Sequence, residues 1–187
     1  EISCSLVGSE MCIRDRFSMS ELWDIYDINR KPTGRTVERG KPMKSGEYHI
    51  VVNVWIRNSK GEWLISKRTP NKHFPLLWEP TGGSAVSGES SFDAAIRETR
   101  EELGVELAPE KGKLFASAMR QAKKFPDFLD VWVFEHDCSI DSVVLQPGET
   151  CGAMWATTNE IKELVKSGKF VEQNVFPYLD ELFEAYG

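Results

Sequence analysis

The sequence has no long hydrophobic run, few cysteines and no excess of basic residues. No stretch approaches the roughly 20 consecutive apolar residues that a membrane-spanning helix needs, so a transmembrane protein is not expected. The formal net charge of −6 argues against a nucleic-acid binder or a membrane-surface binder, since both present a basic face. An anionic small-molecule substrate is compatible with this charge, because a bound divalent cation creates a positive site inside an acidic protein.

The four cysteines, Cys4, Cys12, Cys138 and Cys151, form no CxxC pair. Their spacing argues against a zinc ribbon and against a CxxC redox motif. Because no secretory signal peptide is visible either, we expect a reducing, cytoplasmic location.

The length of 187 residues predicts one domain with a short N-terminal appendage. Residues 1–16 have no hydrophobic period, and the run SLVGSEMCIRD within them resembles the translation of a sequencing-library adapter. We therefore expect residues 1–16 to be a disordered, non-native tail, with the natural start near Met19; a genuine disordered tail is the alternative. Residues 17–45 are predicted to form an N-terminal hairpin and loop, and residues 46–187 the main domain.

Periodic apolar segments predict both strands and helices. Strands rich in apolar, β-branched and aromatic residues are predicted at residues 22–28, 35–38, 48–56, 62–66, 78–81, 114–119, 128–135 and 152–156. Helices are predicted at residues 91–103, 159–167 and 174–186. This order of elements indicates an α/β (α+β) fold, in which a mixed sheet is covered by helices on both faces.

The segment 91–103 is the strongest helix prediction. Ser90 is suited to cap its N-terminus, with Asp93 as a capping-box partner, and Gly104 stands where a left-handed residue ends a helix. Four residues fall on one stripe that is predicted to pack against the sheet: Phe92, Ile96, Thr99 and Leu103.

Three glutamates of the same segment are predicted to form an acidic cluster. Glu98, Glu101 and Glu102 lie at positions i, i+3 and i+4, so their carboxylates converge on a second helix face. Ala94, one turn earlier, is predicted to leave room for a ligand on that face. Clustered carboxylates repel one another and suit a hard cation such as Mg²⁺ or Mn²⁺. An acidic, solvated helix face is the alternative interpretation.

The segment from Gly83 to Val105 reads GSAVSGESSFDAAIRETREELGV. It resembles the Nudix box, G-x5-E-x7-R-E-U-x-E-E-x-G-U, in which U is a bulky apolar residue. All seven fixed residues match, and Thr99 stands at the first U. The order of elements around the box also resembles the Nudix fold, which implies an α/β/α sandwich with a mixed β-sheet, here with an added N-terminal β-hairpin.

The resemblance implies a site for Mg²⁺ or Mn²⁺. Glu98 is expected to act as a metal ligand or as the general base, and Glu101 and Glu102 as metal ligands. The backbone carbonyl of Gly82 is expected to join them. Glu149 is a further candidate ligand, because some family members take one from the loop before the last core strand; a plain loop glutamate is the alternative.

The remaining candidates position the site or bind substrate. The resemblance implies that Arg97 binds Glu89 and so fixes the loop before the helix against that helix. We therefore expect Arg97 and Glu89 to belong to the catalytic site, together with Glu98 and Glu101. Arg68 and Lys72 are candidate phosphate-binding residues, since they follow a predicted strand and an arginine makes bidentate contacts with phosphate. For Arg68, an exposed strand end is the alternative.

A complete box implies metal-dependent hydrolysis of a diphosphate (pyrophosphate) linkage in a nucleoside diphosphate derivative or a similar small phosphorylated metabolite. The main alternative is an isopentenyl-diphosphate delta-isomerase-like enzyme, because the N-terminal hairpin and the flanking order resemble that branch. Those isomerases carry a cysteine in a Cys-x-His-Pro-like stretch where this chain has WEPTGG, and only His49 remains as a match to their metal-binding histidines. A second alternative is a non-catalytic Nudix-fold binding module, although such proteins usually have a broken box.

The expected partner is therefore a small-molecule diphosphate, with no nucleic-acid polymer and no membrane. The resemblance also implies a possible homodimer, since many family members dimerise. No local signature separates nucleotide substrates from prenyl or other diphosphates.

Overall fold

The structure is a computed structural model that describes residues 21–122, 124–171 and 176–186. The tail expected at residues 1–16 lies outside the described residues. The described strands and helices, in chain order, are β1 (Leu22–Tyr26), β2 (Pro32–Glu38), β3 (His49–Arg57), β4 (Trp63–Arg68), β5 (Trp78–Glu79), β6 (Thr81–Ser84), α1 (Ser91–Leu103), β7 (Gly112–Arg120), β8 (Asp127–Glu135), β9 (Thr150–Ala156), α2 (Thr158–Lys166) and α3 (Leu179–Tyr186). Short 3-10 helices lie at Pro109–Lys111 and Ile140–Ser142. No described helix has the length and hydropathy of a membrane span.

The main sheet is mixed, as predicted. At its centre, β3 pairs in parallel with β8 and antiparallel with β4 and β6. Beyond these strands, β7 pairs with β8, while β5 and β9 both pair with β4. The antiparallel pairing of β3 with β6 places Gly82 opposite Asn53, so the glycine-rich turn that precedes α1 lies directly beside the central strand.

Each face of the sheet carries its own apolar core. Successive side chains of a strand point to opposite faces, so Val54 and Trp55 of β3 belong to different cores. Val54 packs with Leu103 of α1, whereas Trp55 packs with Phe183 of α3. Full burial of a side chain such as that of Val54, Leu103 or Phe183 stabilises the fold by about 1.5–3 kcal/mol. The prediction of helices on both faces is therefore confirmed.

The inner face of α1 is broader than the predicted stripe. Thr99 and Leu103 are fully buried, while Phe92 and Ile96 pack against the same core and are partly buried. Ala94 is also fully buried in this core. The prediction that Ala94 leaves room for a ligand is wrong, because the face that carries it is turned toward the sheet.

The N-terminal hairpin docks on the main domain at two places. Asp24 of β1 accepts hydrogen bonds from the hydroxyl of Ser87 (2.7 Å) and from the backbone N–H of Gly88 (2.8 Å). At the turn of the hairpin, the Arg30 guanidinium forms a two-pronged ion pair with the buried carboxylate of Asp130 on β8. These contacts attach both ends of the hairpin to the elements around α1.

Candidate active site

Ser90 and Gly104 cap the two ends of α1 as predicted, whereas the Asp93 carboxylate contacts the Ser90 hydroxyl and not the Ser90 backbone N–H to which a capping-box partner binds. The Ser90 hydroxyl accepts a hydrogen bond from the backbone N–H of Asp93 (3.1 Å) and donates one to the Asp93 carboxylate (2.6 Å). Gly104 has a left-handed backbone (φ 64°), and its N–H donates to the carbonyl of Arg100. These caps set the bounds of the helix and thereby the positions of its three glutamates.

Arg97 ties the loop before α1 to the helix. Its guanidinium donates to both carboxylate oxygens of Glu89, at 2.8 and 2.9 Å, and to the backbone carbonyl of Ser84 at 3.1 Å. Glu89 in turn accepts a hydrogen bond from the backbone N–H of Val86 (3.0 Å). Bidentate arginine–carboxylate pairs are among the stronger polar contacts in proteins, so this loop is held in one arrangement.

The remaining donor of Arg97 reaches the acidic cluster. Nη1 lies 2.9 Å from Glu98 Oε1 and 3.0 Å from Glu101 Oε2. One guanidinium therefore faces three glutamates, counting Glu89, and leaves the site with excess negative charge.

The carboxylate of Glu98 is largely buried beneath the glycine-rich turn. Burial raises its pKa to about 7, the nearby charges of Glu102 and Glu101 act in the same direction, and Arg97 opposes them. The carboxylate lies so close to Gly83 that a methyl group added there would be 2.3 Å from Glu98 Oε1. Glycine at this position is what allows Glu98 to reach the turn.

Glu102 is the most deeply buried of the three glutamates. Its carboxylate accepts a hydrogen bond from the Thr81 hydroxyl and a longer one from the backbone N–H of Gly82 (3.4 Å). Burial raises the pKa of Glu102, and the neighbouring charge of Glu79 adds to the rise. A buried carboxylate with a raised pKa is typical of a functional site.

Lys72 and Glu149 form a second wall beside these carboxylates, joined by an ion pair. Glu149 is brought there because the backbone N–H of Gln146 and the hydroxyl of Thr150 both bind the backbone carbonyl of Glu102, at 3.1 and 3.2 Å. Burial lowers the pKa of Lys72, the charge of Glu102 opposes this effect, and the cations Arg68 and Arg39 add to it.

Most of these groups surround one small, polar cavity of about 110 Å³. Its lining includes most of the residues predicted from the sequence, namely Lys72, Gly82, Arg97, Glu98, Glu101, Glu102 and Glu149. It also includes Gly83, the first fixed residue of the box, and four residues that sequence reasoning missed, namely Glu21, Arg39, Ser84 and Gln146. Glu21 and Arg39 carry no local signal in the sequence, since only the docking of the hairpin brings them to the cavity.

A larger groove of about 540 Å³ lies elsewhere, between β9 and α2. Of its two glutamates, Glu160 is engaged in the N-terminal cap of α2 and Glu163 is exposed. The smaller cavity is the candidate active site, because it gathers buried charges that a structural role alone does not require.

Three further residues considered from the sequence lie outside the lining of the cavity. Arg68 is held by the Glu79 carboxylate and by the carbonyl of His73, and it is not part of the cavity lining. Glu89 lies behind Arg97 rather than at the cavity surface. His49 is buried and stacks on Trp23 with ring centroids 4.1 Å apart, away from the acidic cluster.

The carboxylates are engaged by protein groups in this arrangement. Over the described ranges, no three acidic, histidine or cysteine side chains already surround one point at ligand distance. Glu98 and Glu101 contact Arg97, and Glu149 contacts Lys72. Binding of a cation therefore requires some of these ion pairs to open.

Comparison with known proteins agrees with the motif and the fold. A family model for the NUDIX domain matches residues 47–179. A Nudix hydrolase of Listeria monocytogenes is 36% identical over 166 residues, which cover 87% of this chain and 94% of that relative. A crystal structure of a Deinococcus radiodurans protein superposes with a TM-score of 0.69 at 24% identity, covering 86% of this chain and 98% of the other, and thus shares the fold.

The isomerase branch gives a shorter match. An isopentenyl-diphosphate delta-isomerase of Escherichia coli is 35% identical over 80 residues, which cover 42% of this chain and 44% of the isomerase. The match to the Listeria hydrolase covers about twice that share of each chain. From the family model and this long match, we conclude that the chain belongs to the Nudix hydrolase family.

Proposed function

We propose that the protein hydrolyses a diphosphate linkage in a nucleoside diphosphate derivative or a similar small phosphorylated metabolite, with Mg²⁺ or Mn²⁺ as cofactor. The observation that carries this proposal is the single cavity lined by the carboxylates of Glu98, Glu101, Glu102 and Glu149. Lys72 lines the same cavity and offers a positive charge to an anionic substrate. Membership of the Nudix hydrolase family supports the reaction class.

The donor set fits a hard divalent cation. Burial raises the pKa values of Glu98 and Glu102, and neighbouring carboxylates add to the rise, so the cluster carries its negative charge at a cost that a cation would relieve. We assign Glu98, Glu101, Glu102, Glu149 and the backbone carbonyl of Gly82 as the groups that would hold it. A divalent cation bound there supplies charge neutralisation of the diphosphate and acidification of the attacking water.

The other residues have separate roles in the proposal. Glu98 either holds the cation or takes a proton from the attacking water, since its carboxylate lies at the cavity beneath the glycine-rich turn. Arg97 and Glu89 are positioning residues, because their bidentate pair fixes the loop against α1. Lys72 binds a phosphate oxygen. Arg68 is a weaker candidate for this role, since Glu79 already holds its guanidinium.

Two observations disfavour isomerase chemistry. The stretch before the box, WEPTGG, contains neither cysteine nor histidine. His49, the one match to the isomerases' histidine ligands, is sealed under Trp23. The complete box likewise disfavours a non-catalytic binding module.

The proposal is tested by a phosphate-release screen of diphosphate compounds with Mg²⁺, using the wild type, Glu101→Gln and Glu106→Gln. Glu106 is an exposed glutamate paired with Arg100 just beyond the helix, so its change is a matched control for loss of one charge. We expect hydrolysis by the wild type and by Glu106→Gln, and a large loss in Glu101→Gln. Undiminished activity in Glu101→Gln would defeat its assigned role, and conversion of isopentenyl diphosphate to its allylic isomer would overturn the reaction class.

We also propose a cytoplasmic location. Both cysteines in the described part of the chain, Cys138 and Cys151, are free thiols, which supports a reducing compartment.

A further inference from the structure

One wall of the candidate active site comes from the N-terminal hairpin rather than from the Nudix box. Arg39, directly after β2, and Glu21, directly before β1, both line the acidic cavity. They are joined twice, by a hydrogen bond from the Arg39 N–H to the Glu21 carbonyl (2.7 Å) and by an ion pair between Nη1 and Oε2 (2.7 Å). The two open ends of the hairpin thus meet at the mouth of the cavity.

The basic side chains of the cavity differ in how firmly they are held. Arg97 is bound by Glu89, Glu98 and Glu101, and only 24% of its side chain is exposed. The Arg39 side chain is 57% exposed and its partner Glu21 is 45% exposed. Exposed ion pairs of this kind contribute little net free energy. The Arg39 guanidinium is therefore ready to exchange Glu21 for a more highly charged anion.

The position of Arg39 is fixed by the docking of the hairpin. Asp24 lies on β1, close to Glu21, which directly precedes this strand. It is hydrogen-bonded to Ser87 and Gly88 in the loop before α1. The backbone N–H of Ser87 also donates to the carbonyl of Leu22 (2.7 Å). Because these bonds join β1 to the loop of the box, the hairpin end cannot move away from the cavity without breaking them.

The charges of the cavity are arranged to suit a diphosphate. The α1 glutamates form an acidic wall that fits a cation, and Arg39 and Lys72 supply positive charge to the same cavity. A guanidinium binds phosphate oxygens in a two-pronged fashion, and a diphosphate carries more negative charge than the single carboxylate of Glu21. A diphosphate has enough oxygens to contact the cation through one group and an arginine through another.

We propose that Arg39 binds a phosphate group of the substrate, and that Glu21 occupies the Arg39 guanidinium when no substrate is bound. The hairpin is then part of the substrate site and not only an appendage of the domain. This inference rests on the proposed diphosphate hydrolysis and adds to it a phosphate subsite contributed by a different segment of the chain.

The test compares Arg39→Gln with Arg35→Gln. Arg35 lies on β2, just before Arg39 in the chain, is similarly exposed and pairs with Glu47, but does not line the cavity, so it is a matched control. Two quantities are measured with Mg²⁺ present: KM for the best substrate of the screen, and the Kd of methylenediphosphonate, a non-hydrolysable diphosphate, by calorimetry. We expect Arg39→Gln to raise both by about tenfold, as for loss of one charge-assisted hydrogen bond, and Arg35→Gln to leave both within about twofold of the wild type.

Two more variants separate the parts of the proposal. Arg39→Lys keeps the charge and loses the planar fork, so it is expected to recover part of the affinity; it also answers the question if Arg39→Gln does not fold. Glu21→Gln removes the competing carboxylate and is expected to tighten methylenediphosphonate binding severalfold. Unchanged or weaker binding in Glu21→Gln would overturn the competing role of that residue.

The outcomes distinguish this inference from the proposed function. Equal KM and Kd in the wild type and Arg39→Gln would overturn the phosphate contact even when the wild type hydrolyses its substrate. A wild type that hydrolyses no diphosphate would defeat the proposed function. Binding of methylenediphosphonate that depends on Arg39 would then still support the subsite.

Discussion

At the residue scale, two neighbouring glycines have different tasks in the same turn. A methyl group added at Gly82 would lie 2.1 Å from the backbone carbonyl of Val52, on the strand that pairs with β6. A methyl group added at Gly83 would instead meet the carboxylate end of the Glu98 side chain at 2.3 Å. The Val52 backbone could shift only by breaking the pairing of β3 with β6, whereas the flexible Glu98 side chain can adopt another rotamer.

This difference predicts that one alanine substitution lowers the stability of the fold and that the other lowers catalytic activity. Gly82→Ala is expected to destabilise the fold by about 1–3 kcal/mol, as for overpacking in a tight interior. Gly83→Ala is expected to change stability by less than about 1 kcal/mol and to lower kcat/KM by about 100-fold, because it displaces Glu98. Urea unfolding and phosphate release measure the two effects. A Gly83→Ala enzyme with the kcat/KM of the wild type, or a Gly82→Ala protein as stable as the wild type, would contradict this assignment.

His49 predicts how stability depends on pH. Burial, and then the charge of Arg120, lower the pKa of His49 from 6.5 to about 4, so the unfolded chain binds a proton that the folded chain does not. Stability therefore falls as the pH drops from 6.5 toward 4, by up to about 3 kcal/mol, and the contribution is absent above that window.

His49→Phe is the variant that tests this dependence. It keeps an aromatic ring on Trp23, and the buried Nδ1 atom that it removes has no hydrogen-bond partner among the described residues. Urea unfolding at pH 7 and pH 4.5 is expected to show a smaller loss of stability in His49→Phe than in the wild type. Equal losses would mean that His49 titrates normally in the folded protein.

At the scale of elements, the helices and strands differ in how far the sequence predicts them. The bounds of α1 are predicted correctly because Ser90 and Gly104 are local capping signals. The second hairpin strand begins at Pro32, earlier than predicted. The reason is a tighter turn, in which the Asp27 carboxylate accepts hydrogen bonds from two backbone N–H groups and Arg30 takes a left-handed backbone (φ 59°).

The third helix is attached to the sheet by a polar contact that no sequence pattern indicates. The hydroxyl of Tyr178, just before α3, accepts hydrogen bonds from the Asn53 amide (2.8 Å) and from the Trp55 indole (3.0 Å). All three side chains are buried, and burial raises the pKa of Tyr178. Such a network depends on residues more than 100 positions apart in the chain, so it is visible only in the fold.

Tyr178→Phe is expected to lower the free energy of unfolding by about 1–3 kcal/mol, because it leaves the Asn53 and Trp55 donors buried without an acceptor. Tyr26→Phe, which removes the hydroxyl of a partly exposed ring, is the control, with an expected change within about 0.5 kcal/mol. Both are measured by urea unfolding. If the two variants were equally stable, Tyr178 would not hold α3 in the way described.

At the scale of the whole molecule, the sequence predicts the glutamate cluster of α1 better than the complete cavity. Glu98, Glu101 and Glu102 are recognisable because their spacing on one helix determines that they converge. Arg39 and Glu21 are not, since a contact between the hairpin and the loop of the box depends on tertiary docking. The expected homodimer stays a prediction.

At this scale, a protein with a net charge of −6 can still be compatible with the proposed anionic substrate. Negative charge is concentrated on one side of α1, where the proposed cation would reverse the local potential. Positive charge from Lys72 and Arg39 is added at the same cavity. Overall charge therefore predicts which macromolecular partners are disfavoured, while the local arrangement decides the ligand.

The central claim, that the glutamates of α1 hold a divalent cation, is tested most directly by Mn²⁺ binding followed by electron paramagnetic resonance. The comparison is between the wild type, the double variant Glu101→Gln with Glu102→Gln, and a control that changes the exposed Glu106 and Glu110 to glutamine. We predict that the wild type and the control bind Mn²⁺ with similar affinity and that the α1 double variant, still folded, loses this binding. Equal Mn²⁺ binding by all three proteins would contradict the claim.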